Sequence, residues 1–320
     1  MRFGLRGRRG WVLLLTASIG GGGLFASGLT PERAVEAGLP PVLSFGAGPA
    51  SLAASLDGEA FDVVVWNAHK GRDEGFARAF ATLVRHADLV LLQEAWAAAP
   101  GGGGSAMQRA MLRARGLGWR LAVSWVDPGP PLRCTGVATG ARARPVGCER
   151  LLSPATEPLV GTPKAALLTR YRLRCDGDRS STLLVANVHL LNFVSTATFA
   201  RQLEQIGSAI ARHRGPVLLA GDFNTWSEAK RDRLARLAQR LGLAPVRFDG
   251  HGADSDARTR VFGHPLDHAF VRGLRVLAAH VETTGASDHH ALRLELACER
   301  ARSHEEARRP QAASPTAGVR

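Results

Sequence analysis

From Phe61 to Ala297 the apolar positions alternate between two spacings. Phe61-Asp-Val-Val-Val-Trp66 is a short run of strand formers, after which Phe76, Phe80, Leu83 and Val84 share one face of a helix predicted over 74–86. A strand at 88–92 ends in Gln93-Glu94, a helix follows over 106–115, and 119–125 alternates like a strand. The Pro-, Gly- and Arg-rich stretch 127–162 reads as loop with short strands such as 136–139, and 164–171 with 181–189 reads as a hairpin pair. The first pattern then returns: helix 198–213, strand 216–220 running into Gly221-Asp222-Phe223-Asn224, and helix 228–241. Strands at 266–271, 274–281 and 291–297 close the unit. Two halves that each alternate strand and helix, with hairpins between, predict an α/β sandwich rather than one parallel sheet. The runs 89–92 and 217–220 each deliver a carboxylate just past the C-terminal end of a buried strand, where open α/β folds place their chemistry.

Outside this unit the pattern breaks down. Residues 31–60 are rich in Pro, Gly, Ala and Ser without sustained periodicity and read as a linker, and 299–320 read as a charged, disordered tail. Arg2, Arg6, Arg8 and Arg9 precede an uncharged stretch from Gly10 to Thr30 with a short apolar core, the layout of a signal peptide or N-terminal membrane anchor over 1–30. The expectation is an exported protein, periplasmic or extracellular, or one anchored by that segment, with the folded domain at 61–298. Apolar residues make up 45% and charged residues 22%, which excludes a wholly disordered or polytopic membrane chain. The formal charge of +13 favours phosphate-bearing partners, although an arginine-rich coding bias accounts for it equally well. Cys134, Cys148, Cys175 and Cys298 have no zinc spacing, and with an export signal they predict two disulfides, Cys134 with Cys148 being the favoured pair.

Several short segments place polar groups beside apolar strands: Asn67, Glu94, His189, Asp222 with Asn224, Asp267, and Asp288 with His289. Carboxylates and an amide oxygen are hard ligands suited to Mg²⁺ or Mn²⁺, and nearby imidazoles exchange protons near neutral pH. That inventory suits hydrolysis of a phosphate ester.

In their order, Trp66-Asn67, Gln93-Glu94, Asn187-Val188-His189, Gly221-Asp222-Phe223-Asn224, Leu266-Asp267-His268 and Ser287-Asp288-His289 resemble the endonuclease/exonuclease/phosphatase superfamily over about three quarters of the chain. Residues 161–169 and 220–227 further resemble its bacterial YafD-like branch. The resemblance implies a DNase I-like fold, a four-layer α/β sandwich of two stacked mixed β-sheets flanked by helices. It implies a metal-dependent phosphoesterase that hydrolyses phosphodiester bonds by direct water attack, such as an exported nuclease. Glu94, Asn67 and Asp288 would hold Mg²⁺ or Mn²⁺. Asp222 would deprotonate the attacking water and Asn224 would fix the water or phosphate. His289, held in one tautomer by Asp267, would bind a phosphoryl oxygen or shuttle a proton, and His189 would serve the phosphate or the leaving oxygen. The substrate would be a phosphodiester, nucleic acid or phospholipid head group, taken by a monomer without an obligate protein partner.

Two other readings compete: a phospholipid or sugar-phosphate phosphoesterase at the cell envelope, and a catalytically silent binding module of the same fold. The complete acid, amide and histidine set argues against the second. The resemblance also implies that an abasic-site repair role is disfavoured, since repair members of this fold tend to carry Asn where this chain has His189. His268 and His290 are expected to point away from their catalytic neighbours by strand alternation. His69 and Lys70 read equally as phosphate contacts or as solvated loop, and His251, Asp254 and Asp256 read as loop rather than a second metal site.

Overall fold

The run Phe61–Asn67 is apolar at nearly every position because both of its faces are covered. In the computed structural model Phe61, Val63 and Val65 enter the core between two sheets, while Val64 and Trp66 face helices through Phe76, Phe80 and Met107. The same two-residue alternation sends Leu218 and Ala220 inward and Val217 and Leu219 outward against Phe199, Ile206 and Leu237. Burial of each such large side chain contributes about 1.5–3 kcal/mol.

The structure describes residues 38–98, 104–127, 132–158, 160–175, 180–248 and 257–299. The segment expected to direct export, the residues after 299 and the loop holding His251, Asp254 and Asp256 lie outside the described residues. In chain order the elements are β1 (Val42–Gly46), β2 (Leu56–Asp57), β3 (Phe61–Asn67), α1 (Phe76–Leu83), β4 (Leu89–Ala98), α2 (Ala106–Arg113) and β5 (Gly118–Asp127). There follow β6 (Arg133–Ala141), β7 (Pro145–Thr156), β8 (Pro163–Arg174), β9 (Ser180–His189), α3 (Thr196–Ala211), β10 (Val217–Asp222) and α4 (Glu228–Arg240). The chain ends in β11 (Ala244–Pro245), β12 (Arg260–Val261), β13 (His264–Pro265), β14 (Asp267–Arg272), β15 (Leu274–Glu282) and β16 (Ala291–Cys298). Helix α3 begins two residues before the predicted start because the Ser195 hydroxyl accepts the Thr198 N–H and caps it.

One sheet runs β1-β5-β6-β4-β3-β16-β15 and the other β11-β14-β10-β9-β8, with β2 and β7 both beside β8. The two face each other, with α1 and α2 on one outer side and α3 and α4 on the other. This is the four-layer sandwich. Each sheet contains one parallel pair joined through a helix, β3–α1–β4 and β9–α3–β10, and both pairs aim their C-terminal ends at the same end of the molecule.

Three expectations are corrected. Residues 42–57 are not linker: β1 pairs with β5 at the edge of one sheet and β2 with β8 in the other, and Leu43, Leu52 and Leu56 are buried. Their apolar residues are too sparse to show a period. The stretch 127–162 is mainly two long strands, β6 and β7, whose Pro and Gly content masks the alternation. The disulfide joins Cys175 to Cys298, while Cys134 and Cys148 are free. Cys134 is buried on the helix-facing side of one sheet and Cys148 is exposed on β7 of the other, so their nearness in sequence does not survive folding.

Candidate active site

At the common end of the two parallel pairs, Asn67 closes β3, Glu94 interrupts β4, and His189 and Asp222 close β9 and β10 side by side in register. Asp267 begins antiparallel β14 directly opposite Asp222, and His289 lies just before β16. Gly221 permits this approach, since a Cβ there would stand 2.1 Å from the Val188 carbonyl oxygen. Glu94 falls where the β4–β6 register slips and takes φ 52°, a bulge that re-aims its side chain.

Asp222 is the hub and is 2% exposed. Its Oδ2 accepts the Asn67 Nδ2 amide at 3.0 Å, across the gap between the sheets, and its Oδ1 accepts the Asn224 backbone N–H at 2.9 Å. The Nε2 atoms of His189 and His289 lie 3.5 and 3.9 Å from Asp222 Oδ2. His289 Nδ1 is 2.8 Å from Asp267 Oδ2, and its backbone oxygen accepts the Trp66 indole N–H at 2.9 Å. Asn224 Nδ2 donates to the Leu190 oxygen at 2.9 Å, so this residue braces the loop and Asp222 together.

The charges follow from burial and neighbours. Burial raises the Asp222 pKa above the carboxylate range, opposed by His289 and helped by Asp267. Burial would lower the His289 pKa, but Asp267 above all, with Asp222 and Asp288, drives it well up, so the ring is an imidazolium at neutral pH. His189 moves the other way, below the ordinary histidine value, through burial and the nearby Lys164, against the opposing pull of Glu94. Burial would raise Glu94, yet Lys164, His189, Lys70 and His289 outweigh it and hold the carboxyl at about 2.

Asp222, Asp267 and His289 are the described acid and histidine residues whose ligand atoms cluster within 4.8 Å. That trio is already committed, however, because His289 Nδ1 and Asp267 Oδ2 bond each other. Glu94 fits a hard cation better. It is anionic, its side chain is 23% exposed, and its nearest charged partner among the described residues is Lys70 Nζ at 4.0 Å, which leaves its lone pairs open. Asn67, paired with the neighbouring Gln93 across β3 and β4, adds an amide oxygen at the same strand ends. Asp288 stands exposed at the rim, reached by the Ser287 hydroxyl that also donates to the Asn67 carbonyl.

His268 and His290 stand outside the cluster as expected. His268 Nε2 lies 2.7 Å from the Thr225 hydroxyl, and His290 Nδ1 accepts the Thr284 N–H at 3.4 Å. Three contributors had no role assigned from the sequence, although Gln93 and Asn187 stand inside its motifs. Gln93 Nε2 donates to Asn187 Oδ1 at 2.7 Å, and Asn187 Nδ2 donates to the Ala138 oxygen at 2.9 Å, pinning the sheets together beneath the site. Lys164, paired with Glu157 at 3.2 Å, is the strongest cationic influence on both Glu94 and His189. A signal was present: Lys70, Lys164 and Lys230 are the chain's three lysines among 41 basic residues, the other 38 (41 − 3) being arginine, and two of the three act on Glu94.

The sequence pattern of the endonuclease/exonuclease/phosphatase family matches residues 64–289, a span that begins in β3 and ends on His289. The chain belongs to this family. Its members are in general hydrolytic phosphoesterases that use divalent metals. Relatives within it include a UPF0294 protein of Yersinia pseudotuberculosis, 39% identical over 238 residues covering 74% of this chain and 84% of the relative. Another, from Klebsiella pneumoniae, is 36% identical over 276 residues, covering 85% and 94%. The family fold recurs in an endonuclease/exonuclease/phosphatase from Beutenbergia cavernae, with a TM-score of 0.56 and 21% identity over 75% of this chain and 72% of that one. It recurs also in the human Nocturnin catalytic domain, with a TM-score of 0.55 and 17% identity over 77% and 96%.

Proposed function

We propose that the protein is a Mg²⁺- or Mn²⁺-dependent phosphodiesterase that cleaves its substrate by direct attack of water. The observation that carries this reading is the Asp222 carboxylate, fixed by Asn67 and Asn224 and flanked by both imidazoles, beside an anionic Glu94. Asp222, with its raised pKa, is matched to accept a proton from water near neutral pH. The His289 imidazolium, oriented by Asp267, offers Nε2–H to a phosphoryl oxygen, and neutral His189 donates a hydrogen bond beside it. Lys70 and Lys164 add positive charge around the anionic substrate. Glu94 and Asn67, with Asp288 at the rim, would hold the divalent cation, which when bound neutralises phosphate oxygens and stabilises the leaving oxyanion.

Hydrolysis of bis-p-nitrophenyl phosphate, plasmid DNA, RNA and sphingomyelin, with Mg²⁺ or with EDTA, tests the proposal. Activity on at least one of these that EDTA abolishes, and that Asp222→Ala and His289→Ala each lower by about 10²–10⁴-fold, supports it. Full metal-dependent activity in either variant refutes the assigned roles. Nucleic acid is the substrate class favoured by the net charge of +13. An envelope phospholipid is the second reading, favoured by the basic and apolar N-terminal segment, and activity on sphingomyelin alone would select it. Export itself is read from that segment, and N-terminal sequencing of the protein recovered from its native compartment tests it.

A further inference from the structure

Three aromatic rings stand on loops that continue from site residues, and the chemistry described above does not use them. Phe193 follows His189 by four residues, Trp226 follows Asn224 by two and Phe262 precedes Asp267 by five, so three site-forming loops each deliver one ring. The centroids of Phe193 and Trp226 are 6.5 Å apart with the rings tilted by 37°, and those of Trp226 and Phe262 are 6.2 Å apart edge to face at 71°, so the rings touch in one patch without sharing a plane. Phe262 is 75% exposed and Phe193 42% exposed, apolar area that folding leaves in water.

The backbone opposes these placements as well. Phe262 has φ 50° and Phe193 φ 52°, the left-handed region that bulky residues rarely occupy. Phe262 and Gly263, both at positive φ, form the two-residue turn between β12 and β13, where Asn-Gly or Asp-Gly is the usual pair. The other described non-glycine residues at positive φ are His69, Lys70, Glu94 and Asn224, which all border the site. The two phenylalanines therefore share a strain that this chain confines to its functional end.

Trp226 is held in place. Its indole N–H donates to Asn192 Oδ1 at 2.8 Å, and Lys230 Nζ, buried and without a hydrogen-bond partner among the described residues, lies 4.2 Å from the ring centroid. Asn192 N–H donates to Glu157 Oε1 at 2.9 Å, and Glu157 Oε2 pairs with Lys164, the lysine whose charge reaches Glu94. The aromatic patch and the catalytic centre thus belong to one connected network.

We propose that the exposed Phe262 and Phe193, braced by Trp226 between them, each offer a stacking face to a nucleobase of a single-stranded nucleic acid or nucleotide whose phosphate lies against Asp222 and His289. The proposal rests on the phosphodiester reading above and narrows it to a substrate class. Each ring face accepts any base, and basic groups lie on or against the same hairpin: Arg260, whose Nη1 donates to the Gly263 oxygen in the Phe262 turn at 2.9 Å, and Arg231, whose Nη1 lies 2.9 Å from His264 Nδ1. Two protruding rings are a small area for holding a bilayer, but enough for one or two bases.

The test measures anisotropy of a labelled ten-nucleotide oligothymidylate, and of an abasic tetrahydrofuran oligomer of equal length, with the full chain in EDTA so that no hydrolysis intervenes. The wild-type protein should bind the thymidylate about tenfold more tightly or better. Phe262→Ala should remove about tenfold of that affinity, change the abasic oligomer's affinity by less than about twofold, and be rescued by Phe262→Trp. Phe262→Gly should lose the same affinity while raising Tm, since it relieves the turn, a combination that a supporting role in folding would not give. Equal wild-type affinity for both oligomers, or parallel loss on both in Phe262→Ala, overturns the proposal. So does unchanged thymidylate binding with loss of sedimentation on phosphatidylglycerol vesicles, which would assign the patch to lipid. Base-dependent binding without hydrolysis of any phosphodiester would leave the platform standing and remove the catalytic reading, while hydrolysis without base-dependent binding would do the reverse.

Discussion

Glu94 shows how a single residue acquires its role from its backbone and its neighbours. Its φ of 52° interrupts a strand, and the surrounding cations keep it ionised at about 2, so it offers charge where a hard cation needs oxygen. Glu94→Gln, which keeps the shape and removes the charge, should weaken Mg²⁺ or Mn²⁺ binding at least about tenfold by calorimetry on the full chain. Unchanged affinity would move the ion to the Asp222, Asp267 and His289 cluster. Lys230 illustrates the opposite case, a cation buried to 1% exposure whose pKa falls from 10.5 to about 8 through burial, with Glu157 opposing. Because the folded protein releases this proton first, the unfolded chain holds more protons between about pH 8 and 10.5. Stability from this group is complete above 10.5 and lost as pH falls through 8. Lys230→Met should therefore gain on the order of 1–3 kcal/mol over wild type at pH 7 and lose that advantage by pH 11, as read from urea unfolding at both. That Asn67, Glu94, His189, Asp222, Asp267 and His289 stand at strand ends was legible in the sequence, and folding gathers them. Their protonation was not, because it depends on which charges meet after folding.

At the scale of elements, the alternation along β3 and β10 was readable because both faces of those strands are buried. The strap of residues 42–58 was not readable, because a strap draws its stability from the edges it joins rather than from a period of its own. Gly58 shows how tight that junction is: its N–H donates to the Arg174 oxygen at 2.8 Å and its oxygen accepts the Cys298 N–H at 2.7 Å. A Cβ on Gly58 would lie 2.4 Å from Cys298 Sγ, in the disulfide that links the ends of β8 and β16. A chain truncated to begin at residue 61 should unfold at a lower temperature than one beginning at residue 39, since it forfeits the burial of Leu43, Leu52 and Leu56, a gross contribution of about 1.5–3 kcal/mol each that the ordering entropy of the strap partly offsets. Thermal unfolding of the two measures this, and equal midpoints would return the segment to the status of a linker.

At the scale of the whole molecule, the charge of +13 is either a working field or a by-product of arginine usage. The two differ in salt dependence. If cations around the site neutralise two to four phosphates, log affinity for a single-stranded oligonucleotide should fall against log salt with a slope of about −1.4 to −2.8. A slope near zero would leave the charge without a part in binding.

The sequence by itself determined the order of strands and helices and the chemical groups at the strand ends, because local hydrophobic period and residue type are written along the chain. Only the tertiary structure decided what meets what. It bonds Asn67 to Asp222 across two sheets, ties Cys175 to a cysteine 123 residues away, and gathers Phe193, Trp226 and Phe262 from three loops into one patch. Each of these contacts depends on how two sheets stack and where their ends align, a relation between distant segments that no local pattern carries.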